Sequence, residues 1–403
     1  MLFRALRARP FALLWSGQTI SLLGDRVFQV ALAWWVLEET GSAIAMGTVL
    51  VISIIPMLVF LLIGGVLVDR FPRVRLMLIS DLVRGLATGL MAVLAYSDSL
   101  AIWHVYAVSL ISGFVEAIFQ PAYRAVVPDI TPTADLPSAN SLTSLSGQLS
   151  GIAGPAAGAA IVALGGTPLA FALDSLSFLF SAVCLLPLLK LATSPRRETA
   201  SSSGVLTDLK EGLRAVSASP WLWVTIGIAG ISNLAYAGPM EVVLPFRIEA
   251  HPQAGVETLG LFYSAASLGS LLAVVWMGRL TRLRRRGLLL YGSWMATGVM
   301  VMLIGLPIPV AGMLAASFVM GACNTVLGLA WVNSLQEHVP GHLLGRVTSV
   351  DYLGSFICLP LGYALGGWAA EQVGPAPVFI IGGALQTALI ALGLLHPQVR
   401  SLD

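Results

Sequence analysis

Several ionisable residues lie inside long apolar stretches of the chain, among them Asp25, Arg26, Glu116, Asp174 and Glu241. A charge in such surroundings is costly, so these side chains either pair with one another or take part in moving an ion or a proton. A buried carboxyl group can bind and release a proton, while a neighbouring arginine stabilises its charged form. A structural ion pair, for example of Arg26 with Glu116 or Asp174, is the alternative reading of these residues.

Twelve apolar stretches contain nearly all of the chain's hydrophobic residues. About 20 apolar residues in a helix cross the hydrocarbon core of a bilayer. Composition agrees, because 57% of the residues are hydrophobic, only 10% are charged, and the mean hydropathy is +0.87. We therefore predict an all-α membrane protein with twelve transmembrane helices. The predicted spans are 11–37, 45–68, 76–96, 101–123, 141–165, 168–189, 220–246, 258–278, 287–306, 309–333, 344–370 and 374–396.

Basic residues cluster on every second connection between the spans, and the largest cluster runs from Arg279 to Arg286. The intervening connections carry acids instead, with Arg247 as the one basic exception. Because lysine and arginine are retained on the cytoplasmic side, we predict a multi-pass protein of the cytoplasmic (inner) membrane of a bacterium, with N- and C-termini in the cytoplasm. The basic residues then serve as topology signals and contact anionic lipid, and no nucleic-acid partner is expected.

The sequence does not indicate enzymatic or metal chemistry. All three cysteines fall within spans, so neither a disulfide framework nor a zinc-binding spacing is present. His338 and His342 are four residues apart, but Pro340 and Gly341 break the helix that would align them. With no phosphate-binding glycine loop and no nucleophile–base pair, we expect no enzyme activity, no metal and no cofactor.

The chain divides into two halves of six spans. A polar linker, 193–219, separates an N-terminal bundle, 1–192, from a C-terminal bundle, 220–403. Helical spacing of apolar residues in the linker predicts a short amphipathic helix on the inner membrane face. The residues with that spacing are Leu206, Leu209, Leu213 and Val216. The halves echo each other at an offset near 212 residues, which is typical of transporters built from two bundles.

The connection between spans 2 and 3 reads Gly65-Val-Leu-Val-Asp69-Arg70-Phe-Pro-Arg73. Glycine permits close helix contact, and an aspartate at a membrane boundary can face an arginine or the positive end of a helix. Asp81 and Arg84 lie three residues apart near the inner end of span 3, where we expect them to pair. We interpret these residues as a gating motif that holds the inner side closed. The motif consists of Gly65, Asp69, Arg70, Arg73, Asp81 and Arg84.

This connection closely resembles the loop 2–3 signature of the major facilitator superfamily, G-x-L-a-D-R-x-G-R, with a proline here in place of the second glycine. The resemblance covers the whole chain and is strongest to drug:proton antiporters of the macrolide-efflux and enterobactin-exporter type. It implies two pseudo-symmetric six-helix bundles, the major facilitator fold. The segments that carry it further are Phe11-Ala-Leu-Leu-Trp15-Ser-Gly17-Gln18, Glu39-Thr-Gly41-Ser42-Ala43, Gln120-Pro-Ala122, Val127-Pro-Asp129 and Gly345-Arg-Val347.

Span 5 places glycines at spacings of four, three and four residues beside Pro155. Such glycines share one helix face and allow close approach of a partner helix, while the proline adds a kink. Generic small-residue packing would produce the same pattern. Export-type members of the superfamily have Gly-Pro-x-x-Gly in this span, so the resemblance implies an export motif. That motif is Gly151, Gly154, Pro155 and Gly158.

Spans 1, 4 and 7 line the cavity in this superfamily, which makes Asp25, Glu116 and Glu241 the candidates for proton coupling. Drug antiporters of the family often have an arginine well inside span 4, whereas Glu116 is the only charge of that span here. An apolar cavity with few acids suits bulky amphipathic compounds. The candidate cavity residues are Arg26, Phe28, Trp34, Phe119, Tyr123, Asn233, Tyr236 and Asn324. Interhelical packing is the alternative for the two asparagines, and a counter-ion role is the alternative for Arg26.

We expect secondary active export of small amphipathic compounds, such as macrolide-like drugs or other multidrug substrates, by proton antiport with alternating access. Export of a siderophore, lysolipid or natural-product metabolite is the alternative, and a non-transporting membrane scaffold is disfavoured. The expected partners are the small-molecule substrate, protons and the lipid bilayer. The protein is expected to act as a monomer.

Overall fold

The computed structural model describes residues 2–191, 205–280 and 285–400, without the side chains of residues 61–70 and 205–209 or of Leu2 and His342. The described residues are overwhelmingly helical and contain no strand. Contacts divide the chain into two units. The first consists of Met1–Arg197 with Ala254–Ser264, and the second of Glu198–Gln253 with Ala265–Asp403.

Five long helices build the first unit. They are α1 (Arg9–Thr40), α2 (Ala43–Arg70), α3 (Arg73–Tyr96), α4 (Ile102–Ile130) and α5 (Leu136–Leu185). The last of these contains two spans, because Gly166 has φ 74° and ψ 174°, which breaks the helical path. A residue with a side chain rarely adopts that conformation, so the glycine allows a tight reversal between the two spans.

Helix pairs in the first unit approach closely where small residues meet. Helix α1 packs along α5, α2 along α4, and α3 against both α4 and α5. A Cβ built on Gly113 of α4 would lie 2.1 Å from the carbonyl oxygen of Ser53 in α2. A Cβ on Gly24 of α1 would lie 2.2 Å from Ser177 Oγ in α5. Because lipid is as apolar as the helix surfaces, the hydrophobic effect does not hold these helices together. Close packing of this kind does so instead.

The second unit contains the remaining helices, apart from the start of α9, which groups with the first unit. They are α6 (Val205–Ser217), α7 (Pro220–Ala237), α8 (Leu244–Glu249), α9 (Val256–Met277), α10 (Arg286–Gly305), α11 (Val310–His338), α12 (Gly341–Phe356), α13 (Leu359–Val373), α14 (Pro375–Leu394) and α15 (Pro397–Arg400). A π-helical turn, Gly238–Val243, joins α7 to α8. Helix α10 packs along α14 and α11, and α7 packs against α12, α13 and α14.

The second unit repeats a packing feature of the first. A Cβ on Gly321 of α11 would lie 1.9 Å from the carbonyl oxygen of Ala266 in α9. This glycine contact joins the second and fourth spans of its half, as the contact of Gly113 with Ser53 does in the first half. The two halves are therefore related in packing as well as in sequence.

The described helices account for all twelve predicted spans. By length and composition, ten helical segments can cross a membrane, or eleven if the bent pair Lys210–Ser217 and Pro220–Glu249 forms one span. One of the ten, Thr133–Lys190, is 58 residues long and holds a span on each side of the break at Gly166. The predicted all-α architecture of twelve spans is thus confirmed.

The linker contains a helix, α6, as expected, and this helix packs against α12; its predicted place on the inner membrane face stays a prediction. Arg346 Nη1 of α12 lies 2.5 Å from Glu211 Oε2. A Cβ on Gly212 would lie 2.7 Å from the carbonyl oxygen of Arg346, and Val216 is buried in the same contact. Leu213, predicted to share the apolar stripe, is 58% exposed, while the side chains of Leu206 and Leu209 lie outside the described part.

Candidate functional site

Two cavities inside the first unit bring together charged residues from α1, α3 and α4. Their volumes are about 200 and 230 Å³, and Asp25, Arg84 and Glu116 line both of them. Asp174 of α5 also lines the second cavity. Residues that the sequence distributes over four spans therefore meet in one polar site, which we call the acid cluster: Asp25, Asp81, Glu116 and Asp174 around Arg84.

Arg84 is enclosed by a carboxylate and two aromatic rings. Its Nη2 donates to Glu116 Oε2, and its side chain is only 9% exposed. The guanidinium carbon lies 4.8 Å from the centre of the Phe119 ring and 5.4 Å from that of Phe178. Gln120 Nε2 donates to the other oxygen of Glu116 at 2.6 Å. The cation–π contacts and the ion pair together fix the guanidinium in a largely desolvated position.

The partner of Arg84 differs from the sequence expectation, which paired it with Asp81. Asp81 is completely buried, and its Oδ2 instead accepts from Ser181 Oγ at 2.7 Å and from Gln18 Nε2 at 3.4 Å. Asp81 thus receives neutral donors from α5 and α1, while Arg84 pairs with the carboxylate of Glu116 on α4. The gating role assigned to Asp81 and Arg84 stays a prediction.

The other two acids of the cluster are held by fewer contacts. Asp174 is 1% exposed, and neither of its carboxyl oxygens has a hydrogen-bond partner among the described residues. Asp25 interacts electrostatically with Arg84, Glu116 and Arg26, and Asp174 interacts with Asp25 and Arg84. Two arginines therefore face four carboxyl groups in this part of the unit.

The remaining candidate cavity residues of the first unit lie in different surroundings. Phe119 and Tyr123 line the first cavity and stack with ring centres 6.1 Å apart, and Phe28 lines the second. Arg26 Nη1 donates to Gln29 Oε1 at 3.1 Å on its own helix. Trp34 lies further out on α1, where its indole nitrogen donates to the exposed Glu38 at 2.7 Å.

A larger cavity of about 390 Å³ lies inside the second unit, and the predicted Asn233, Tyr236 and Asn324 all line it. Asn324 Nδ2 donates to the Tyr236 hydroxyl at 3.5 Å, and Asn324 Oδ1 accepts from Thr297 at 3.3 Å. Asn233 Nδ2 donates to the carbonyl oxygen of Ser355 at 2.8 Å. Both asparagines thus connect helices and also face the cavity, and their role in ligand binding stays a prediction.

Among the polar residues of this cavity that sequence reasoning missed are Asp351 and Gln386. Asp351 Oδ2 accepts from Trp331 Nε1 at 2.9 Å, and its Oδ1 accepts from Ser355 Oγ at 3.2 Å. Asp351 is an acid inside the apolar span 11, and Asp25 was chosen because it is an acid inside span 1. The same criterion could therefore have found Asp351. Gln386 carries no such signal, because an uncharged amide in span 12 does not stand out before its burial is known.

Glu241, the third candidate for proton coupling, lies in the second unit and not in the acid cluster. It sits on the π-helical turn Gly238–Val243 and interacts electrostatically with Tyr236 and Tyr363. Turns of this kind occur frequently at functional sites because they redirect side chains locally. Glu241 therefore belongs to the second unit, whereas Asp25 and Glu116 line the same cavities of the first.

The gating motif is described in part. Gly65, Asp69 and Arg70 lie on the last turns of α2, but their surroundings fall outside the described side chains. Arg73 Nη1 lies 2.5 Å from Asp129 Oδ2, which ties the start of α3 to the end of α4. In the second unit, Arg286 Nη1 lies 2.6 Å from Glu337 Oε2 and ties α10 to α11 in the same way.

Two glycines of the predicted export motif pack directly on α1. A Cβ on Gly154 would lie 2.4 Å from Arg26 Cβ, and one on Gly158 would lie 2.9 Å from Val27 Cα. Gly151 and Pro155 are also buried. A Cβ on Gly147, by contrast, would meet no heavy atom within 4 Å. The glycine face therefore serves the contact between α1 and α5, and its role in export stays a prediction.

Residues 14–358 match the family model described as Major Facilitator Superfamily. Macrolide efflux protein A of Streptococcus pyogenes is 22% identical over 402 residues, which cover 98% of this chain and 97% of that protein. Multidrug efflux pump Tap of Mycolicibacterium fortuitum is 28% identical over 390 residues, 94% of each chain. Enterobactin exporter EntS of Escherichia coli O81 (strain ED1a) is 25% identical over 411 residues, 99% of this chain and 97% of that protein.

The fold is also similar to a solved structure, the crystal structure of a bacterial homologue of iron transporter ferroportin in inward-facing state. The TM-score is 0.76 at 14% sequence identity, and the match covers 96% of this chain and 98% of that one. At this identity the likeness shows the fold alone.

Proposed function

The chain belongs to the Major Facilitator Superfamily, and on that basis we propose that it exports small amphipathic compounds across the cytoplasmic membrane in exchange for protons. Its relatives include proteins named for macrolide efflux, multidrug efflux and enterobactin export, and it matches them over nearly their full length. Transport of a small molecule is common to these names. We propose a multidrug or macrolide-like substrate, with siderophore export as the rival outcome of the tests below.

The acid cluster is the observation that carries the proton-coupled part of the proposal. Four carboxyl groups, Asp25, Asp81, Glu116 and Asp174, face Arg84 and Arg26 in the interior of one unit. If all four were ionised, two negative charges would remain without a counter-charge in surroundings of low polarity. Charges that are this poorly compensated inside a membrane are very costly, so the arrangement favours binding of a proton by the cluster.

Arg84 gives the cluster a means of responding to proton transfer. The guanidinium now pairs with Glu116, while Asp25 lies on the same two cavities. A proton on Glu116 would cancel that attraction and favour pairing of Arg84 with Asp25 or Asp174. Because these acids lie on α1, α4 and α5, a change of partner alters the attraction between helices. This is how proton binding could bias the alternating-access cycle.

Transport by the purified protein in proteoliposomes tests the proposal, with ethidium and radiolabelled erythromycin as probes. An imposed pH gradient should drive accumulation by the wild-type protein. Asp25→Asn should abolish this accumulation while exchange of substrate without a gradient survives, because exchange needs no net proton movement. Glu116→Gln and Glu241→Gln test the rival carriers, and Glu39→Gln, at the exposed outer end of α1, is the matched control.

Each outcome assigns the coupling differently. If Glu116→Gln or Glu241→Gln loses accumulation while Asp25→Asn keeps it, the carboxyl group of that other residue is the proton carrier. Retention in all three variants would rule out proton coupling through these acids. If the protein moves an iron-free siderophore but neither probe, the siderophore alternative replaces the multidrug substrate.

A further inference from the structure

We propose that the cavity of the second unit is a binding site for an aromatic organic cation that carries N–H groups. The inference rests on the proposed export function only in treating such a cation as the transported class. The site is lined by residues of α7, α10, α11, α12 and α14, all within one unit. Its volume, about 390 Å³, falls in the range of about 300–1,000 Å³ that small-molecule pockets occupy.

Aromatic side chains form much of the cavity wall. Trp294 comes from α10, Trp331 from α11, Phe356 from α12 and Tyr236 from α7. Trp294 is packed in the core with Tyr291, and the Trp331 ring contacts Trp221 at 5.7 Å, so both indoles are held from behind. Fixed aromatic faces bind flat ring systems and attract cations through their quadrupoles.

Asp351 determines the charge that this cavity selects. It is the one charged side chain among the described residues that line the cavity. Each of its oxygens accepts one hydrogen bond, from Trp331 Nε1 and from Ser355 Oγ, and both donors are neutral. An ionised carboxylate can accept about four hydrogen bonds, so two acceptor positions remain for a ligand. A cationic ligand would supply the counter-charge, whereas an anion would face an uncompensated carboxylate.

Gln386 is the independent observation that a ligand with donor groups belongs here. Its side chain is 2% exposed, and its Oε1 has no hydrogen-bond partner among the described residues. An amide oxygen buried without a donor lowers stability, so its presence in the cavity wall needs a compensating reason. An N–H group of a bound ligand would satisfy this oxygen, in the same cavity that the carboxylate of Asp351 lines.

The two acceptors and the rings define a test with matched ligands. Ethidium is a planar cation with amino groups, and 6-phenylphenanthridine is its neutral parent ring without them. Binding to the purified protein in detergent is followed by quenching of tryptophan fluorescence, to which Trp294 and Trp331 contribute. The wild-type protein should bind ethidium at least tenfold more tightly than the neutral ring. Asp351→Asn should weaken ethidium binding at least tenfold and that of the neutral ring less than threefold.

Controls separate a lost charge from a damaged fold. Glu249→Gln removes an exposed acid of the same unit and should leave both affinities within twofold. Asp351→Glu should restore ethidium binding to within threefold of the wild-type value. Gln386→Leu should weaken ethidium binding about threefold to tenfold and raise the melting temperature, because it removes the unpartnered oxygen. If Gln386 had only a structural role, Gln386→Leu would lower the melting temperature and leave the affinity ratio of the two ligands unchanged.

The inference is overturned if the wild-type protein binds the neutral ring as tightly as ethidium, or if Asp351→Asn and Gln386→Leu both bind ethidium as the wild type does. Either result would leave the proposed export function standing if proteoliposomes still move erythromycin. Failure of multidrug export, by contrast, would appear as absence of transport of both probes, whatever ethidium binding to the cavity shows.

Discussion

Arg84 contacts three groups from two other helices, Glu116, Phe119 and Phe178. A buried arginine is stable only while its charge is compensated, and the compensation here comes from one carboxylate supported by two ring faces. Lysine could not reproduce this, since it lacks the planar guanidinium that stacks between rings. The residue therefore couples the stability of the first unit to the ionisation of its neighbours.

Removing the charge of Arg84 alone should be more damaging than removing the ion pair. Arg84→Met leaves Glu116 without its cation and should cost roughly 2 kcal/mol, less than a fully buried pair because the Glu116 side chain is 31% exposed. The double variant Arg84→Met with Glu116→Gln should recover most of the lost melting temperature. Thermal unfolding in detergent measures this as a double-mutant cycle. Strictly additive effects of the two substitutions would show that the pair is not coupled.

At this scale the sequence identified which residues matter better than it identified their partners. Asp25 and Glu116 were found from their position in apolar spans, and they line the same cavities. The pairing of Arg84 was wrong, because spacing along one helix cannot tell which neighbouring helix presents a carboxylate. Arg247 looked like an exception on an outer connection. It is buried and donates to the carbonyl oxygens of Ile304 and Leu306 at 3.0 and 2.7 Å, capping α10.

At the scale of elements, the contact between α1 and α5 depends on glycine. The sequence predicted a glycine face on span 5 because a spacing of three and four residues returns to one side of a helix. It could not say which helix this face meets, since spacing carries no information on neighbours. The structure supplies α1 as the partner, at the level of Arg26 and Val27. The break at Gly166 was likewise placed correctly by the gap between two predicted spans.

Substitution of two glycines on α5 should therefore have opposite effects. In Gly158→Val the added side chain would begin 2.9 Å from Val27 Cα, which is backbone and cannot move aside easily, so we expect a loss of about 1–3 kcal/mol. Gly147→Ala on the same helix meets nothing within 4 Å and should be neutral or stabilising by up to about 1 kcal/mol, since alanine favours helix. Melting temperatures of the two purified variants measure the difference. Equal destabilisation by both would mean that glycine flexibility, and not packing on α1, is what α5 requires.

At the scale of the whole molecule, each half repeats the same connections. Arg73 with Asp129 and Arg286 with Glu337 tie the start of the third span to the end of the fourth in their respective units. The charge distribution of the sequence predicts that these pairs lie on the cytoplasmic side, together with the linker helix α6. Such ties limit how far the helices within a unit can separate.

Labelling of introduced cysteines tests this orientation. Ser97 lies exposed on the connection between α3 and α4, which the charge distribution assigns to the outer side, and Ser217 lies exposed at the end of α6, which it assigns to the cytoplasm. The three native cysteines must first be replaced, although Cys184 is buried and the other two are partly buried. In intact cells, a membrane-impermeant maleimide should label Ser97→Cys but not Ser217→Cys. After permeabilisation both should react. Labelling of Ser217→Cys alone in intact cells would show that the predicted topology is inverted. The Arg73 and Arg286 pairs would then lie on the outer face, where lysine and arginine are not retained.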